Sequence, residues 1–273
     1  MQKLPNVLSL IAENYLSACS AIQLSEESKV VSMDGILDTL TTVKRKPGLV
    51  YEVYTPSTMH GLGGECICYA REENLPTLKE YLDTHTIYQR LDYPKGYYPL
   101  LKALEWTFTP LGMWEWILIH DVWRDLPLFW HANYCKVDYI LNQETFRCVV
   151  PDIVEHYLTP TGRPRKGYRE KIEELAKAYR KKNRQSMFGS YGFKTKEDLF
   201  AAIELASRVE KELTPNVVEI DEKTIEVSFA IWNDWSGLRK ITYRAQPMKR
   251  RGFLRLARID EKDLVRYNCG ICF

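Results

Sequence analysis

Two cysteine pairs have the residue types and spacing for metal chemistry: Cys66-x-Cys68 and Cys269-x-x-Cys272. Residues two apart on a strand share a face, and a C-x-x-C knuckle offers two thiolates to one ion, so four sulfurs could meet the tetrahedral demand of zinc. Roughly 200 residues separate the pairs, and the first is not a knuckle. Buried cysteine is also ordinary core material. The spacing assigns no metal, and no cofactor is implied.

His131, Cys135 and Asp138 supply imidazole, thiol and carboxylate. If 129–141 is extended, however, His131 and Cys135 lie about 13 Å apart at roughly 3.3 Å per residue, too far for direct proton transfer. A metal-assisted or acid/base hydrolase would have to gather dispersed groups such as His60, His120, Asp121 and His131. Gly61-Leu62-Gly63-Gly64 is a turn rather than a dinucleotide fingerprint, because Cys66 stands where the third glycine belongs and a strand follows. There is no phosphate-loop, H-E-x-x-H or G-x-S-x-G motif.

The stronger chemical pattern is charge. Residues 1–158 hold 13 Lys and Arg against 20 Asp and Glu, net −7, whereas 159–273 hold 25 against 16, net +9. Ten cations against three glutamates fall within 163–184, and eight cations with no acid within 239–258. Tyr168, Tyr179, Phe188, Tyr191, Trp235 and Tyr243 are interleaved with them. Cations neutralise phosphates and aromatic rings stack on bases, so this composition suits a polyanion such as nucleic acid. The expected contacts are Arg163, Arg165, Lys166, Lys177, Arg180, Lys181, Lys182 and Arg184, with Lys249, Arg250 and Arg251. The same asymmetry also suits an acidic protein partner or a homo-oligomer whose unlike halves attract.

The elements that must position these residues follow from periodicity. Leu8, Ile11, Tyr15 and Ala18 mark an N-terminal amphipathic helix. This explains Leu16-Ser17-Ala18-Cys19 better than a lipoprotein signal, since Pro5, Glu13 and Asn14 interrupt the apolar run. Residues 48–56 and 64–71 alternate as a β-hairpin, and Asn74 with Pro76 should open a helix to about Thr84. A helix over 110–125 anchors a tryptophan-rich segment, followed by extended chain over 129–141. The boundary between an acidic, aromatic-rich region (1–158) and a basic region (159–273) is expected at TPTGRPRKG, residues 159–167.

Beyond it, a basic helix covers 168–184 and is expected to bury Ile172, Leu175, Ala176 and Tyr179. A second helix is capped by Thr195 with Asp198 and buries Leu199, Ile203, Ala206, Val209 and Leu213. Strands at 216–220, 223–233, 238–245 and 252–259 form an antiparallel meander. The expected class is α+β. No apolar run is long enough for a membrane span. Seven scattered cysteines fit free thiols in the cytoplasm. The C-terminal Cys-Gly-Ile-Cys-Phe lacks the cysteine four from the end that prenylation needs.

Overall fold

The computed structural model describes residues 4–20, 22, 27–55, 66–84, 93–124, 137–183, 191–248 and 254–269. The chain is α+β and divides into two compact units, Leu10–Cys135 and Met1–Ser9 with Lys136–Phe273. Residues 136–158, grouped with the first half on charge, thus belong to the second unit. Strand pairing places them there, and surface charge carries no information about pairing. Helix α1 (Leu4–Ser20) begins in one unit and continues into the other. It buries Leu8, Ile11 and Tyr15 as expected and Ala12 besides, while Ala18 is only half-buried.

Within Leu10–Cys135 the chain forms β1 (Lys29–Ser32), α2 (Asp34–Leu37), β2 (Lys44–Arg45), β3 (Leu49–Thr55) and β4 (Ile67–Glu72). There follow α3 (Leu78–Thr84), β5 (Tyr97–Pro99), α4 (Leu100–Ala103), β6 (Leu104–Glu105) and α5 (Pro110–Arg124). Strands β1-β3-β4-β5 make an antiparallel sheet in that order, and β2 pairs with β6. The β3–β4 hairpin fits the sequence reading, with Val53 opposite Cys68 and Glu52 opposite Tyr69. The cap of α3 does not. Thr77 Oγ1 accepts from the Glu80 N–H, and Glu80 Oε2 accepts from Thr77 N. That reciprocal box satisfies two donors where Asn74 offers one, so the helix begins after Pro76 and Thr77.

Two buried carboxylates organise this unit. Glu115 of α5 is fully buried and accepts five hydrogen bonds at 2.6–2.9 Å, from the N–H and hydroxyl groups of Thr41 and Thr42 and from Val43 N. Glu52 of β3 takes a bidentate pair from Arg71, Nε at 2.9 Å and Nη2 at 2.8 Å, together with the Tyr69 hydroxyl at 2.6 Å. Tyr69 in turn accepts from Leu78 N, tying the start of α3 to the sheet.

The second unit contains β7 (Asp138–Ile140), α6 (Gln143–Val149), α7 (Asp152–Glu155), α8 (Tyr168–Asn183), β8 (Tyr191–Phe193) and α9 (Lys196–Leu205). A 3-10 turn (Ala206–Arg208) leads to α10 (Val209–Glu212), β9 (Asn216–Asp221), β10 (Thr224–Asn233), β11 (Gly237–Pro247), β12 (Leu254–Val265) and β13 (Tyr267–Cys269). The meander is present, with sheet order β12-β11-β10-β7. One edge of β10 is shared: β9 lies opposite Thr224–Ser228 and β7 opposite Ala230–Trp232. Ile225, Val227, Phe229 and Ile231 are buried on one face, where Tyr139 and Tyr243 stack on Phe229 with centroids 5.5 and 6.1 Å away. Ala230, Trp232, Leu238 and Val265 join a helical core through Phe146, Val154, Ile172 and Ile203.

The continuous helix expected beyond Thr195 is interrupted at the 3-10 turn. Ser207 Oγ donates to Glu204 O at 2.9 Å, a local bond that competes with helical pairing, yet all five stripe residues remain buried. Thr195 caps α9 as expected by accepting from Asp198 N. Asp198 does not complete the box. Its Oδ1 accepts from Arg266 N at 3.0 Å, fastening the helix start to the chain between β12 and β13.

Candidate polyanion interface

The expected cations fall into two structural groups. Those on the sheet are largely occupied. Arg239 and Arg258 both pair with Glu261, at 2.5 and 3.1 Å, and Arg244 pairs with Glu226 at 2.5 Å. Lys240 Nζ donates to the Glu212 carbonyl at 2.8 Å. Opposite charges across neighbouring strands stabilise the pairing, and they also remove these cations from any external phosphate. Lys249, Arg250, Arg251 and Arg184 lie outside the described residues.

The loop before α8 differs. Leu158 and Pro164 form a bridge, Thr159 N donates to Arg163 O at 2.7 Å, and Arg165 N donates to Tyr157 O at 2.7 Å. Gly162 has φ +75°, a left-handed conformation that strains any residue with a Cβ, so glycine suits the closure of the loop. With its polar backbone groups bonded inward, the loop leaves Arg163, Arg165 and Lys166 exposed. Arg165 also donates Nε to Leu158 O.

Helix α8 continues this surface. Ile172 and Ala176 face the core, while Lys171 and Lys177 are exposed. Two potential competitors are drawn aside: Glu173 accepts Lys196 Nζ at 2.9 Å, and Glu204 binds both Arg169 and the Tyr168 hydroxyl. The Tyr168 hydroxyl first, then Arg169, holds the Glu204 carboxyl below its ordinary range. Among the described residues, Arg163, Arg165, Lys166, Lys171 and Lys177 form no ion pair with an acid. Arg180, Lys181 and Lys182 belong to α8 by their backbone, but their side chains lie outside what is described.

Beside the loop is an open hollow of about 400 Å³ lined by Tyr157, Lys171, Glu174, Leu175 and Ala178. Sequence reading did not single out Tyr157, and it placed Leu175 with Ile172, Ala176 and Tyr179 on the buried side of α8. Tyr157 packs partly against the core beneath, and Leu175 is 50% exposed. Leu175 thus departs from its expected burial and stands on the outer side of α8, whereas Ile172 and Ala176 are buried and the Tyr179 side chain lies outside the described residues.

The chain matches no family model, no curated protein and no solved structure.

The other candidate sites gain little. Among the described residues no cluster of His, Cys, Asp and Glu could hold a metal ion. Cys66 and Cys68 lie in or beside β4, where burial first, and then the neighbouring Cys66 and Cys19, raises the Cys68 thiol, while Cys272 and the Cys269 side chain are outside the described residues. His60, His131 and Cys135 are also outside, and Asp138 begins β7. His120 and Asp121 end on α5, with Asp121 buried. No described helix is long and apolar enough to cross a membrane.

Proposed function

We propose that this protein is a cytoplasmic polyanion-binding protein that takes nucleic acid along the loop 159–167 and α8. One observation carries the reading: the cations from Arg163 to Lys177 named above lack acidic partners among the described residues, while Arg239, Arg244 and Arg258 of the sheet are paired. Four to five phosphates would be neutralised. For single strands that gives a plot of log K against log salt with a slope of about −3, at roughly −0.7 per phosphate. Fluorescence anisotropy with single- and double-stranded oligonucleotides between low and physiological salt measures it. Changing Arg163, Arg165, Lys166 and Lys177 together to Ala should weaken binding and flatten the slope towards zero. A second variant carrying K181A, K182A, R250A and R251A tests four of the seven remaining expected contacts separately. Absence of binding at low salt would sink the reading.

Self-association is the second reading, and the exposed Ile153 and Leu175 favour it. A stable dimer in light scattering, lost on Leu175→Glu with no effect of the cation variants, would replace the first.

A further inference from the structure

We infer that the hollow between Tyr157 and Leu175 receives one unpaired base, so that the interface selects single strands over duplexes. The inference rests on the polyanion reading and deepens it. The hollow adjoins the cationic loop directly, because Arg165 N donates to Tyr157 O, the Arg165 side chain bonds the next carbonyl, and Lys171 itself forms part of the wall. Tyr157 supplies a ring held by the core beneath it, while Leu175 and Ala178 supply apolar wall. A strand whose phosphates follow Arg163, Lys166 and Lys171 therefore passes an aromatic and aliphatic recess. A base fills such a recess through its π-face with little regard to sequence. Glu174 on the rim repels phosphate but can accept a hydrogen bond from the exocyclic amino group that adenine, cytosine and guanine carry and thymine lacks, a small bias on top of the stacking. A duplex offers no free face, because its bases are stacked and paired.

The test compares three probes of equal length at one low salt concentration: a single-stranded oligonucleotide, its abasic counterpart with the same phosphates, and a duplex. The single strand should bind about tenfold more tightly than the abasic strand, the scale of one base stack on an aromatic side chain. Tyr157→Leu should abolish that difference and leave abasic binding unchanged, and Tyr157→Phe should restore it. Because Tyr157 also packs on the core, the melting curve of each variant is recorded. Leu175→Glu, at an exposed site, gives a second variant expected to lose the difference without unfolding. A 2-aminopurine base in the single strand should be quenched by the wild type and not by Tyr157→Leu.

Equal binding of base-bearing and abasic strands, with both weakened by the cation variants, would overturn the base pocket and leave polyanion binding standing. Duplex binding as tight as that of the single strand would overturn the base pocket, and binding of none of the three probes would overturn both readings.

Discussion

Replacing Glu115 by Gln tests whether the buried carboxylate holds the first unit together. Three N–H groups and two hydroxyls converge on it, three donors on Oε2 and two on Oε1. An amide is least damaging with its NH2 at Oε1. There it can donate to the Thr41 hydroxyl, but it faces the Thr41 N–H and leaves that donor unsatisfied. Bonds to a charged group contribute about 1.5–3 kcal/mol each, and an orphaned buried donor costs about 1–3 kcal/mol. With partial relaxation, the expected loss is about 2–4 kcal/mol. At roughly 3 kcal/mol per molar in guanidinium, the midpoint should fall by about 1 M. Tryptophan fluorescence reads it well, because Trp114 and Trp116 flank Glu115 and five of the seven tryptophans lie between 106 and 130. Glu105→Gln, at an exposed position, should shift the midpoint little. A Glu115→Gln midpoint indistinguishable from that of Glu105→Gln would refute the role assigned to the five bonds.

Arg71→Met should cost about 3–5 kcal/mol in the same assay, because it strands Glu52 as an uncompensated buried charge. Glu52→Gln with Arg71→Met should recover part of that loss; a double variant no better than the single would contradict the pairing. Burial pushes the Cys19 thiol up to about 12 and Cys66 to about 11, and raises Cys68 as well. At pH 8 the thiolate is then a small fraction, so iodoacetamide should modify exposed Cys148 well before these three, followed by peptide mapping. In the unfolded chain these thiols ionise first, near pH 9, so stability should decline as pH rises from about 9 towards 11–12. Equal labelling rates, or a flat stability profile above pH 9, would count against their burial.

Periodicity exposed the elements well. The strand alternation at Ile225 to Ile231 and the stripe from Leu199 to Leu213 depend only on which face is buried, and both occur as read. Pairing across distance was less visible. Nothing local to Asp138–Ile140 announces that it completes the edge of a strand beginning at Thr224, so charge grouped these residues with the first half and strand pairing groups them with the second unit. Capping chemistry was half legible: Thr195 capped its helix, but the capping role expected of Asn74 went to Thr77, whose partner Glu80 offers a reciprocal bond. The cations were legible as a count and illegible as a surface, because ion pairs such as Arg239–Glu261 form between residues far apart in sequence. Glu115 looked like an ordinary charge in an aromatic helix, and its five donors come from residues more than seventy positions earlier.

The shared edge of β10 has a consequence for synthesis. Ile140 pairs with Ala230, so β7 leaves the ribosome well before its partner exists. At about 5–20 residues per second, that interval lasts several seconds or more. The unit Leu10–Cys135 is already fully translated by then, whereas Ile140 and Leu141 must wait without their sheet. The nascent chain therefore passes through a period in which one unit can fold to completion while the other presents an unpaired apolar strand. A slower decoding rate between 140 and 230 lengthens that exposure and gives chaperones, or another nascent copy, more time to capture it.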